Sequence, residues 1–293
     1  LPGHRDNGVG PWPRKLYNLR MMIAFISLIG FSVSEWGVID IGTGKAISAN
    51  PESAPEVPSV VKAPIVYFYG PIPKEVILTL GISPEKITVS EPTFIKIKGK
   101  PSWKIRPSDA KKSAPPCTWT DPGATAVIAN DKPCDYIFYE AELSYKNQVS
   151  ILREGDKMGF LNSGKYPVYD VIYLIGYPGT ENGIMLSYYI PVLGPSETAW
   201  PEPATIPSES EMRGKLVSAG LTDGAAGAFL KEWWPAFTLQ QGKEEPVMWF
   251  QEASLISSVF AYRLSQEEVD EILPMSVSPK PEKLVRAWWA MIR

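Results

Sequence analysis

Proline and glycine punctuate this chain so densely, 29 and 23 times in 293 residues, that little room is left for long helices. The segments between them are short and rich in Val, Ile, Tyr, Phe and Trp, residues that suit a pleated, half-buried surface. With 44% hydrophobic and 21% charged residues, a chain of this length can bury a sizeable core. Its formal charge of -3 and pI near 5.5, with lysines scattered rather than clustered, supply no basic field for phosphate backbones, so nucleic acid is not an expected partner.

Strands are predicted at residues 35–42 (EWGVIDIG), 65–69, 76–80, 94–97, 136–143, 171–176 and 184–190. The run 65–69 (IVYFY) is continuously apolar, as in a strand covered on both faces. In TFIKIKGK, Phe94, Ile95 and Ile97 interleave with Lys96 and Lys98, which turns one face to water. Residues 48–64, rich in Pro, Ser and Ala, read as an extended, exposed linker. Short strands separated by turn signals imply an antiparallel β-sandwich-like body over residues 35–195.

Near Pro195 the pattern changes. Ser208 or Ser210 can cap a helix reaching Ala219, with Gly220 as its left-handed stop. Thr222 or Asp223 can start a second helix that ends at Trp234, before Pro235. Ser265, three residues ahead of Glu268, has capping-box spacing for a third helix, which Pro274 closes. Residues 247–250, 259–264 and 284–292 read as strands. Residues 196–293 are therefore expected to form a small helix-on-sheet module, and the whole chain to be mainly β with a C-terminal α+β part.

Residues 21–31 (MMIAFISLIGF) form an apolar run preceded by Arg14, Lys15 and Arg20 and followed by Ser32 and Ser34. This is the order of an export signal, with residues 1–34 removed and Glu35 as the new terminus. The run is too short for a transmembrane helix, which needs roughly 20 apolar residues. The alternative is a strand buried in the fold.

The motifs KAPIVYFYGP, CDYIFYEAEL, LVSAGLTDGAAGAFLKEWW and VFAYRLSQEEVDEILPMSVSPKPEKLVRAWW together resemble a family of uncharacterised, exported, β-rich bacterial proteins. The resemblance spans most of residues 35–293 and implies a β-rich body closed by a helix packed with strands. It brings no activity, cofactor or catalytic residue with it.

His4 is the lone histidine, which argues against Ser-His-Asp, Cys-His and histidine-ligated metal chemistry; no cofactor or metal is expected. GTGK at residues 42–45 is too short for a phosphate loop and reads as a turn. Glu140 and Glu142, at i,i+2 on a strand, project from one face and are the candidate acid pair for a polysaccharide hydrolase, although alternation alone also yields a solvated face. Asp121, Asp131 and Asp135 read as turn residues. The pairs Trp233–Trp234 and Trp288–Trp289 are candidate binding residues, because strand neighbours point opposite ways and one of the second pair is a candidate for the surface or for a contact between modules; the leading reading is that these rings anchor helix on sheet and seal the core.

Cys117 and Cys134 are the two cysteines. Turn signals at Asp121-Pro122-Gly123 and Asn130-Asp131 between them, and an oxidising compartment, predict a disulfide. The leading function is a non-catalytic exported or cell-envelope protein that binds a protein or cell-surface component. The competitors are an extracellular subunit that self-assembles by adding residues 21–31 to a neighbour's sheet, and the carboxylate-dependent hydrolase.

Overall fold

The computed structural model describes residues 30–41, 57–108, 119–176, 184–239 and 257–292. Phe31–Arg293 is one compact unit. In chain order the strands are β1 (Ser32–Asp40), β2 (Val57–Tyr69), β3 (Val76–Leu80), β4 (Ile87–Glu91), β5 (Ile95–Ile97), β6 (Lys100–Pro107), β7 (Val127–Ala129), β8 (Lys132–Cys134), β9 (Ile137–Tyr145), β10 (Val149–Glu154), β11 (Lys157–Asn162), β12 (Val168–Gly176), β13 (Ile184–Leu193) and β14 (Thr198–Ala199). Helices α1 (Glu209–Ser218) and α2 (Asp223–Phe237) follow, then β15 (Ser257–Arg263), α3 (Gln266–Ile272), β16 (Met275–Ser278) and β17 (Lys283–Ile292). The protein is mainly β, built from antiparallel sheets, with its helices toward the C-terminus.

Eight strands make the central sheet, in the order β13-β12-β15-β17-β1-β2-β9-β4. Strands β15 and β17 sit between β12 and β1, so the C-terminal strands are built into the same sheet as the earlier ones. Among the described residues β1 and β17 are the one parallel pair, with Glu35 opposite Arg286. A second sheet runs β16-β3-β6-β7-β8 with β5 paired to β6, and a third runs β10-β11-β14.

Both faces of the central sheet are covered at its middle strands β17, β1 and β2, which explains their continuous apolar runs, whereas β9 and β4 turn one face toward solvent. On one face, Val33, Val66, Phe68, Trp288 and Ala290 pack with side chains of the other two sheets and of α3. On the other, Trp36, Ile65, Tyr67, Ala287 and Trp289 pack with α1 and α2. The Trp288–Trp289 pair alternates as a strand requires, yet neither ring reaches solvent, because each meets a different core. Trp289 lies 4.9 Å from Phe237 of α2, centroid to centroid. The candidate exposure of one of these rings is therefore not found, since it presumed one bare face; the rings seal the core instead.

Two further expectations change. Residues 57–64 are not an exposed linker but the first part of β2, paired with β9; Val61 is fully buried. Pro64 is tolerated there because the register shifts between Val61 and Ile65, with Ala63 at φ 45. Helix α2 also passes through Pro235 to Phe237. The last turn survives because Phe237 is buried against Trp289 and Thr238 closes it, its amide and hydroxyl both donating to the Trp234 carbonyl at 3.0 and 2.8 Å.

The caps follow the sequence. Ser208 and Glu211 form a complete capping box on α1, Gly220 takes φ 109 after it, and Thr222 accepts from Ala225 N at the start of α2. Residues 1–29, 42–56 with GTGK, Cys117 and the strand expected at 247–250 lie outside the described residues.

Candidate functional site

The expected acid pair lies on β9 with the geometry that alternation dictates. Tyr139, Ala141 and Leu143 are buried, while Glu140 and Glu142 point the other way. Glu140 stands 3.8 Å from Lys62 Nζ and Glu142 is exposed. Among the described residues no group of three or more His, Cys, Asp or Glu is placed to hold a metal ion. Trp233 and Trp234 are buried in the helical core together with Trp289.

Among the described residues, the chemistry-bearing groups that the structure gathers are four buried carboxylates, and each joins distant elements. Glu35 Oε2 accepts from Arg286 Nε (2.7 Å) and Trp288 Nε1 (2.9 Å), and its Oε1 accepts from the Tyr139 hydroxyl (2.6 Å). Burial works against the Arg286 charge, but Glu35 and Tyr139 more than offset it and hold the guanidinium protonated; burial and the Glu35 charge push the Tyr139 hydroxyl well above its usual range. Asp170 of β12 binds Arg263 of β15 at 3.0 Å, the Tyr189 hydroxyl of β13 at 2.8 Å and Lys215 of α1 at 3.4 Å. Burial, with a smaller effect of Asp170, raises the Tyr189 hydroxyl to about 12.

Asp121, expected to be a turn residue, does form a turn through Gly123 N (2.7 Å), but it is buried and also accepts from Tyr69 (2.9 Å) and from Thr222, the cap of α2. Glu268 of α3 accepts from the Tyr145 hydroxyl (3.1 Å) and the Gln148 amide instead of reaching back to complete its capping box.

A shallow, open groove of about 590 Å³ runs beside the start of α2, between the Asp121 turn and the side chains of Arg213 and Lys231. Three of its charged groups, Arg213, Asp223 and Asp121, are already engaged. Arg213 grips Asp223 with two 2.7 Å bonds and lies against Gly227, while Asp121 fills the space over Gly224, where a Cβ would overlap its Oδ1. The groove is floored by internal contacts rather than by convergent free groups.

The two edges of the central sheet differ more informatively. The segment PEPATIP, residues 201–207, meets β13 at Ser187, where the Ala204 amide donates to the Ser187 carbonyl (2.9 Å) and the Ala204 carbonyl accepts from the Ser187 hydroxyl (2.7 Å). Its prolines have no N–H to offer a further strand. At the other edge, β4 pairs with β9 on one side, and no described strand lies on the other. Val89 in the middle of β4 is 44% exposed.

No family model matches the chain, and no curated protein matches it. Among solved structures, the chain is similar to the yeast delta-COP-I mu-homology domain, at 9% identity over 90% of this chain and 96% of that one, with a TM-score of 0.40. It is similar to the same yeast domain complexed with Dsl1 WxWxV peptide (10% identity, 90% and 96% covered, TM-score 0.38) and to the Danio rerio Fcho1 mu-homology domain with bound Eps15 peptide (8%, 90% and 96%, TM-score 0.35).

Proposed function

We propose that this chain is a non-catalytic binding module that takes a protein partner as an added strand along β4. The observation that carries this reading is the unequal treatment of the two sheet edges: a proline-rich segment bonds to β13 at Ser187, whereas no described strand pairs with the free side of β4. An open strand edge offers a row of backbone donors and acceptors, and proteins either cover such edges or use them. Glu91, paired with Lys132 at 3.9 Å, and Pro92 end the strand, so the partner contributes a short extended segment. Two of the similar structures hold peptides, but at TM-scores below 0.5 they lend this reading no weight.

The test is selection of a random peptide library on the chain, followed by hydrogen exchange of the complex. Protection gained at residues 87–91, with binding lost in Val89→Pro at unchanged melting temperature, is the expected result. Protection gained at the α2 groove instead would overturn the reading, and concentration-dependent association of the chain alone would identify a second copy as the partner.

The same proposal places the protein outside the cytoplasm, on the basic-apolar-small order of residues 14–34, with Cys117 and Cys134 joined. None of the described helices is long and apolar enough to cross a membrane. Mass analysis of unreduced protein from its source tests both points: two alkylated cysteines per chain would remove the bridge and weaken the location.

A further inference from the structure

We propose that α3 is held to the sheets by a proton-controlled latch centred on Glu268, closed while this carboxyl is neutral and loosened when it ionises. The geometry is that of an acid without a counter-ion. Glu268 is 5% exposed, and no cation pairs with it among the described residues. One oxygen, Oε1, accepts from Tyr145 and Gln148; the other, Oε2, is buried with no hydrogen-bond partner among the described residues. A buried carboxylate in that position is costly, and the usual outcome is that the group keeps its proton.

The described elements packed around Glu268 bring it no cation. Strand β9 contributes the neutral hydroxyl of Tyr145, and β15 that of Tyr262, which lies 3.0 Å from Tyr145 and donates to Asn147 Oδ1 at 2.8 Å. Burial raises both hydroxyls above their usual range, so neither ionises with Glu268 near neutrality. The next turn of α3 adds a second acid, Glu271, which takes the nearby Lys165 (2.6 Å) and Tyr166 (3.0 Å). From β17, Arg286 pairs with Glu35 and Asp270; its Nη2 is buried with no hydrogen-bond partner among the described residues, and it forms no ion pair with Glu268. Glu268 therefore faces neutral donors and a like charge. Burial pushes its pKa up to about 7, opposed by the Gln148 and Tyr145 bonds and aided by Glu271.

What the latch holds is the end of the sheet's central ion pair. Arg286 Nη1 donates to the carbonyls of Val269 in α3 (3.5 Å) and of Leu273, its C-cap (2.7 Å), so releasing α3 strips the guanidinium of its carbonyl cap. The helix has seven residues and needs such tertiary anchors, because isolated helices of this length do not persist in water. A local opening at α3 thus carries information about pH to the centre of the fold.

Hydrogen exchange of the full chain from pH 5 to 8 decides the matter, with rates corrected for intrinsic exchange. Protection of the α3 amides should be lower than that of the β12 amides and fall by about tenfold per pH unit up to near neutrality, then level off. Glu268→Gln, which mimics the neutral acid and keeps the fold, should show a flat profile. Tyr145→Phe, which removes a donor to the ionised form, should move the levelling point to higher pH. Equal protection of α3 and β12 at every pH, the same slope in Glu268→Gln as in the unmodified chain, or no movement in Tyr145→Phe would each overturn the latch.

Discussion

Arg286 Nε donates to Glu35 Oε2 at 2.7 Å across 251 residues of sequence, and neither side chain is exposed. The two are register partners on the parallel strands β1 and β17, at the middle of the central sheet. Taking both charges from water is costly, and the surrounding bonds from Tyr139, Trp288 and the carbonyls of α3 and its C-cap make the arrangement sustainable.

Removing one partner strands the other. Glu35→Ala should destabilise the chain by about 3–5 kcal/mol, because it leaves a buried guanidinium uncompensated. A double replacement, Glu35→Met with Arg286→Leu, should recover most of that loss. Urea unfolding of the unmodified chain, Glu35→Ala, Glu35→Met, Arg286→Leu and the double replacement checks this; a double replacement equal to the sum of its two singles would show that the pair is not coupled.

The start of β1 matters in the same way. Phe31 and Val33 are buried, the Phe31 carbonyl accepts from Glu282 N at 2.9 Å, and the Ser34 hydroxyl lies 3.0 Å from that of Tyr69. Burying two such side chains is worth about 3–6 kcal/mol. A chain beginning at Glu35 should therefore unfold at lower denaturant than one beginning at Gly30. Equal midpoints would show that residues 31–34 are dispensable and would favour processing at Glu35.

Gly224→Ala should displace the Asp121 carboxylate, since the new Cβ would overlap Oδ1 and loosen its hold on Tyr69 and Thr222. Overpacking of this kind costs about 1–3 kcal/mol. Thermal melting measures it, and Gly214→Ala on α1, where a Cβ meets nothing within 4 Å, is the control.

Global stability should fall between about pH 4.5 and 7 through Glu268. Its folded pKa of about 7 lies above the ordinary 4.5, so its contribution is fully present below the lower value and is lost as pH rises through the upper one. The loss amounts to roughly 3 kcal/mol at 1.36 kcal/mol per pKa unit. Comparing the urea midpoints of the unmodified chain and Glu268→Gln across that window isolates the contribution.

Much of the β framework could be read from the chain, because local chemistry sets it. The strand at Val76–Leu80 and the caps at Ser208, Thr222 and Ser265 fall where turn and cap residues placed them. What depends on topology was hidden. Pro235 signalled a stop that Phe237 overrides by packing on Trp289, and β4 is an edge through a strand order that no local pattern encodes. The buried ion pair left one legible trace: Glu35 and Arg286 are charges of opposite sign set inside SVSEWGVID and KLVRAWWAMI, runs that are otherwise largely apolar. The Glu140 and Glu142 alternation, by contrast, is what any half-solvated strand produces.

The parallel pairing of β1 with β17 bears on how the chain is made. Strand β1 leaves the ribosome first among the described strands, yet one of its two flanking partners is encoded 251 residues later, at the other end of the unit. During synthesis the apolar flank of β1 has only β2 to shelter it, with Glu35 awaiting Arg286. Long-range pairings of this kind are slow to close and expose sticky edges in the meantime. Nascent chains halted before residue 283 should therefore depend on chaperones in a way that the finished protein does not.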